Sequence, residues 1–223
     1  MSTSSLPAPR QLARLSPLGQ LRAGRLLRRL VQLYVGLVAY GLTLALLIRA
    51  HLGNAPWDVL HQGLADHLPI SIGQAVIAVS FLVLLLWIPL REVPGLGTLS
   101  NAVVIGLAAD LGLSLMHEPR AIQLRILMTL AGVIGNAVAT ACYIGAQLGP
   151  GPRDGLMTGL NRRTGVPIGP VRTGIEVTVV VVGFFLGGVL GFGTLIYAVA
   201  IGPLVQRLLP LFVVPLAAGG DQG

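Results

Sequence analysis

Gly53-Asn54-Ala55-Pro56-Trp57-Asp58-Val59-Leu60 returns 96 residues later, without a gap, as Gly149-Pro150-Gly151-Pro152-Arg153-Asp154-Gly155-Leu156. Glycine, proline, aspartate and leucine keep their places in both copies. The register persists downstream: Gly63 and Leu64 are matched by Gly159 and Leu160, Ile72-Gly73 by Ile168-Gly169, and Gly95, Gly97, Thr98 and Leu99 by Gly191, Gly193, Thr194 and Leu195. The chain is an internal duplication, residues 29–116 onto 125–212, and any function assigned to it must explain why one Pro-x-Asp element is used twice.

With 54% hydrophobic and only 10% charged residues, the 223-residue chain lacks the polar surface of a water-soluble globule, which places it in a lipid bilayer. Six of its fifteen arginines fall in the first 29 residues, so the net charge of +7 reads as a cytoplasmic, anionic-lipid-facing segment rather than a nucleic-acid surface. The same segment has no long apolar run, which argues against a secretory signal peptide, and residues 1–20 read as a loose tail. The lone Cys142 excludes a disulfide within one chain.

Six apolar runs are long enough to cross about 30 Å of hydrocarbon at about 1.5 Å per residue. They lie near residues 30–50, 70–90, 97–116, 124–146, 168–190 and 192–211, and the link His117-Glu118-Pro119-Arg120 marks the seam between repeats. Between the first and second run of each repeat lie Asn54–His67 and Gly151–Arg163, which are too short and too polar to be continuous spans. Each reads as a short re-entrant or interfacial helix, with proline near its first turn, where a missing N–H costs nothing, and an aspartate favoured there by the helix dipole.

Three crossings per repeat turn the second repeat upside down relative to the first. Arginine placement agrees: residues 51–69 hold none, whereas 147–167 hold Arg153, Arg162 and Arg163, with Arg120 and Arg125 as exceptions. If the short segments also crossed, each repeat would have four spans and the repeats would be parallel.

The motifs Ala-Pro-Trp-Asp-Val-Leu (55–60), Ser-Ile-Gly (71–73), Gly-Pro-Arg-Asp-Gly-Leu-Met (151–157) and Gly-Phe-Gly-Thr-Leu-Ile-Tyr-Ala-Val-Ala-Ile-Gly-Pro (191–203) resemble those of the YczE/YyaS/YitT-like bacterial integral membrane proteins. The resemblance covers residues 30–212 and implies a small polytopic protein of the bacterial plasma membrane. It supplies no catalytic residues, so the chemistry must come from this chain's own side chains.

Asp58 and Asp154 lead the candidates, because related elements of inverted repeats meet near the bilayer midplane, where helix N-termini and acids can address a substrate or ion; each also suits a plain helix start. Arg172 and Glu176 lie four residues apart in an apolar span, where a charge is expensive unless paired or hydrated; they form either a structural pair or a coupling site. Arg153, next to Asp154, suits anion binding or topology. Trp57, its counterpart, reads as an interfacial anchor. Asp110 and Arg207 read as packed or interfacial polar groups.

His51, His61 and His67 match no metal-ligand spacing, and the Gly-x-Gly-Thr pairs lack a phosphate-loop context and suit close helix packing. No nucleophile with its base, paired local carboxylates or metal motif points to an enzyme. The sequence calls for no cofactor and no nucleic-acid partner.

The expectation is an all-α membrane protein of six transmembrane helices, arranged as two inverted repeats of three, each with an extra short helix. A basic segment (1–29), first repeat (30–116), linker (117–123), second repeat (124–212) and tail (213–223) follow in order. The favoured function is small-solute or ion transport at a site between the repeats; the alternative is a membrane interaction or assembly protein. Both termini are expected to be cytoplasmic. With Cys142 replaced, Asp66→Cys should label from outside and Arg162→Cys only from inside; labelling of both from one side refutes the inverted topology.

Overall fold

The computed structural model describes Leu12 and residues 15–216; the sequence-based reading of the remaining N-terminal and C-terminal residues lies outside the described portion. Among the described residues all regular structure is helical: α1 Pro17–Arg22, α2 Leu26–Ala50, α3 Pro56–His67, α4 Ile72–Leu90, α5 Leu96–Leu115, α6 Ile122–Gly145, α7 Pro152–Thr164, α8 Ile168–Phe185 and α9 Phe192–Phe212. Six of them, α2, α4, α5, α6, α8 and α9, are long and apolar enough to cross a membrane. Helices α3 and α7, of 12 and 13 residues, are too short to span it alone.

Two elements depart from the sequence reading. Residues 17–20, read as part of a loose tail, belong to α1, because Ser16 Oγ accepts a hydrogen bond from the Gly19 N–H and Pro17 occupies the first helical turn. The fifth span stops at Phe185 rather than 190, since Gly187 turns into left-handed backbone (φ 84°) and a Cβ on Gly188 would lie 2.0 Å from the Val59 carbonyl oxygen.

Helices α2 and α6, which begin the two repeats, form the most extensive helix pair. Their approach is reciprocal: a Cβ on Gly36 would strike the Tyr143 backbone at 2.7 Å, and one on its counterpart Gly132 would strike the Leu47 side chain at 2.8 Å. Around this axis the short helices exchange partners, α3 packing on α8 and α7 on α4. Neither repeat therefore closes around its own short helix alone.

Polar contacts follow the same exchange. Arg29 Nε donates to the Ala146 carbonyl (2.8 Å) and Nη2 to that of Gln147 (2.6 Å), at the C-terminal end of α6. Its counterpart Arg125 donates from Nε to Ala50 O (2.7 Å) and from Nη2 to His51 O (2.9 Å), at the end of α2. Each guanidinium thus satisfies carbonyls that the partner helix leaves open, where its dipole is negative. Arg125, an exception to the arginine-placement rule, is accounted for by this contact.

Beyond each capped end the backbone repeats its path, with His51 and Gln147 at φ 50° and 55°, and Gly53 and Gly149 at φ 113° and 115°. Leu148 O then accepts from Gly97 N (2.6 Å), and Leu52 O from Gly193 N (2.7 Å). The Gly-x-Gly-Thr motifs are thus docking points for the opposite repeat. At the seam, Glu118 pairs with His51 (3.0 Å) and Arg49 (3.2 Å), and the His51 contact foremost holds its carboxyl below the usual carboxylate range.

The repeats are unequally packed. In α2, α4, α5 and α6, 39–50% of the span-forming residues are buried, against 11% in α8 and α9. Helix α4 lies along α5, whereas α8 has no comparable contact with α9.

Replacing Arg125 with Met should destabilise the protein by about 2–3 kcal/mol, because two helix-end carbonyls lose charge-assisted bonds. That corresponds to roughly 4–12 °C in a reversible thermal transition. Arg29→Met should fall in the same range, and a melting temperature unchanged by either substitution would rule out this capping role.

Candidate functional site

The N-termini of α3 and α7 reach one cavity of about 280 Å³, to which α3 contributes Ala55, Pro56 and Trp57, and α7 contributes Gly151 through Asp154. Proline at the first helical position and aspartate in the first turn start both helices. Their free N–H groups and positive dipole ends are directed to the region where the repeats meet.

Each short helix is held by the opposite repeat through one contact made in two versions. On α4, Trp87 packs over Gly155 of α7, where a Cβ would lie 2.0 Å from the indole, and its Nε1 donates to Pro152 O at 3.0 Å. On α8, the position equivalent to Trp87 is Gly183, which packs against the Val59–Leu60 backbone of α3 with a virtual Cβ 2.5 Å away. Val59 is the counterpart of Gly155, so large and small residues have traded sides.

Four of the five sequence-derived candidates line the cavity: Arg153, Asp154, Arg172 and Glu176. Arg172 Nε donates to Glu176 Oε1 at 2.7 Å, forming the i,i+4 pair on α8. Asp154 Oδ2 accepts from the Tyr143 hydroxyl at 3.2 Å and has no guanidinium within ion-pair distance among the described residues.

Asp58 occupies a different place. It is 2% exposed and sits behind the cavity wall, where Oδ1 lies 3.1 Å from His61 Nδ1 and 3.9 Å from Arg153 Nη2. Arg153 also approaches His61 Nε2 at 3.4 Å. A guanidinium only donates, so His61 Nε2 accepts, Nδ1 carries the proton toward Asp58, and the imidazole is neutral. The two aspartates are equivalent in sequence but not in surroundings.

Trp57, expected at the membrane interface, is buried with the Arg153 guanidinium 4.8 Å above its ring. Closure of α3 against α8 and α4 draws it inward, and it also borders an open apolar groove lined by α4, α7 and α8. Its Nε1 is buried without a hydrogen-bond partner. The three grouped histidines do not converge: His51 meets Glu118, His61 meets Asp58, and His67 Nδ1 meets the Gly63 carbonyl. Asp110 caps the start of α4, accepting from Ser71 Oγ and from Gly73 N at 2.8 Å.

Sequence reasoning missed Tyr40, Tyr143 and Tyr197, all lining the cavity. Tyr197 donates to Asn136 Oδ1 at 2.8 Å. A signal was available, because Tyr40 is the repeat counterpart of Asn136, and Tyr197 that of Asn101. Polar or aromatic residues at the same register in both repeats' apolar helices mark positions that face the shared interior.

These features define a bilayer-embedded helical protein with an ionisable cavity between repeat-related half-length helices. Over residues 27–210 the chain matches DUF6198, described as a family of unknown function, and it belongs to that family. It is 40% identical over 164 residues to an uncharacterized protein of Haemophilus influenzae, covering 74% of this chain and 75% of that protein. It is 32% identical over 180 residues to the uncharacterized membrane protein YczE of Bacillus subtilis (79% and 83% coverage), and 25% identical over 184 residues to the uncharacterized protein YyaS of the same organism (79% and 90%). No solved structure matches the chain significantly.

A double-mutant cycle on Arg172→Gln and Glu176→Gln in lipid should give a coupling of about 1 kcal/mol or more, since either single change strands its partner. Exchanging the two charges should recover stability lost in the single variants. Coupling near zero means the two side chains do not interact.

Proposed function

We propose that the protein is a small-solute or ion transporter of the bacterial plasma membrane, with its site in the cavity where α3 and α7 meet. The observation that carries this reading is the convergence of two half-length helices and four charged side chains on one cavity between the repeats. Charge inside a membrane protein is costly unless paired or hydrated, and it commonly marks a ligand or ion path. Discontinuous helices aimed at a shared midplane site between inverted repeats are a recurring design of secondary transporters.

In this reading the repeats lie upside down relative to one another, with both termini cytoplasmic. The close packing of α4 on α5 seals one side of the cavity, and the looser α8 and α9, which supply Arg172, Glu176, Tyr197 and Gln206, provide the passage. With both termini inside, the positions of Arg172 near the start of α8 and Gln206 near the end of α9 favour a cytoplasmic passage. Alternation then consists of closing α8 on α9 while α4 parts from α5, a movement that exchanges the roles of the repeats.

A second reading, a membrane interaction or assembly protein without a transported substrate, draws on the exposed apolar faces of α8 and α9. Lipid covers such faces equally well, and this alternative leaves the charged cavity unexplained.

A metabolite panel screened by thermal stabilisation of the purified protein should yield a ligand. In proteoliposomes loaded with that ligand, Asp58→Asn and Asp154→Asn should each abolish uptake at near-normal expression. Wild-type uptake by either variant reduces that aspartate to a helix-start residue.

A further inference from the structure

We infer that the solute taken by this cavity is a compact organic ammonium ion, an assignment of substrate class that rests on the cavity being the transport site. The first ground is charge. Three carboxylates, Asp58, Asp154 and Glu176, gather around two guanidiniums, Arg153 and Arg172, and the geometry makes His61 neutral. Arg172 bonds directly to Glu176 and Arg153 lies nearest Asp58, which leaves Asp154 as the carboxylate with no direct ion pair among the described residues. A positively charged ligand completes that account, and an anion aggravates it.

The second ground is aromatic. Aromatic residues form only 5% of the chain, yet three of its four tyrosines and one of its two tryptophans line this one cavity. The hydroxyls of Tyr143 and Tyr197 are committed to Asp154 and Asn136, so each offers the cavity chiefly its ring. Tyr40 and Tyr143 meet edge to face, with centroids 6.2 Å apart and planes at 71°, and so form a corner of two electron-rich walls. Rings at an angle beside a carboxylate with no direct ion pair suit an alkylated ammonium, which is large, weakly hydrated and attracted to aromatic faces.

The third ground is size. A space of about 280 Å³ excludes a polymer or a lipid headgroup with its chains. A small ammonium compound fits that space.

The test uses full-length protein in lipid nanodiscs with choline and tetramethylammonium as probes, and 3,3-dimethyl-1-butanol as choline's uncharged isostere. Both cations should bind and raise the melting temperature, and the isostere should do neither. Asp154→Asn should weaken choline binding at least tenfold, and Tyr40→Leu roughly threefold to thirtyfold. Tyr40→Phe, which keeps the ring, should stay within twofold of the wild type and so separates recognition from a folding defect. Equal binding of choline and its isostere overturns the assignment, as does failure of both cations to bind. In the latter case, binding of an anion or neutral solute from the panel leaves the transporter reading standing without this substrate class. Binding of choline without uptake into proteoliposomes supports the ammonium site and removes the transport reading.

Discussion

Two guanidiniums bonded to the helix ends of the opposite repeat are the contacts on which the rest of the structure depends. In a bilayer an unsatisfied carbonyl costs far more than in water, and the C-terminal ends of α2 and α6 must stop inside the protein so that α3 and α7 can begin there. Arg125 closes the first end and Arg29 the second, each reaching across to the other repeat. The left-handed turns at His51 and Gln147, the Gly53 and Gly149 corners, and the Leu52 and Leu148 carbonyl contacts follow in the same order on both sides. The short helices can sit at the centre because their preceding turns are held from opposite directions.

Duplication supplies the frame, and divergence supplies the chemistry. Equivalent positions hold Trp57 and Arg153, Val76 and Arg172, Ser80 and Glu176, and Tyr40 and Asn136. The second repeat thus contributes charge, while the first contributes Trp57 and Tyr40, and the cavity acquires a polar side that a strictly symmetric protein would lack. The exchange of Trp87 with Gly183, and of Val59 with Gly155, shows how packing adapts: the helix contact survives with its bulky residue on the other partner. The same inequality leaves α8 and α9 less buried than α4 and α5, which gives the cavity a loose side and a tight side.

Much of this was legible in the sequence, because hydropathy and a constant repeat offset are one-dimensional signals. The six apolar runs matched six helices, and Pro-x-Asp marked both short helices to within two residues. Arg153, Asp154, Arg172 and Glu176 were legible as charges out of place in an apolar chain. What escaped depended on three-dimensional exchange. Asp58 was read as equal to Asp154, but His61, whose counterpart is Met157, draws it behind the wall. Trp57 was read as an interfacial ring, since nothing local reveals that α3 closes against the other repeat's α8. The tyrosines were invisible to a search for charges, and Arg125 looked like a topology exception because its partners are backbone atoms 74 and 75 residues away.

The central claim is that each repeat is incomplete without the other. Dividing the chain in the 117–121 link and expressing residues 1–116 and 117–223 separately and together tests it directly. Co-expressed halves should purify as a one-to-one complex through a tag on either half, with a melting temperature close to that of the intact protein, and each half alone should be degraded or aggregate. Two halves that fold independently and do not associate would contradict the account.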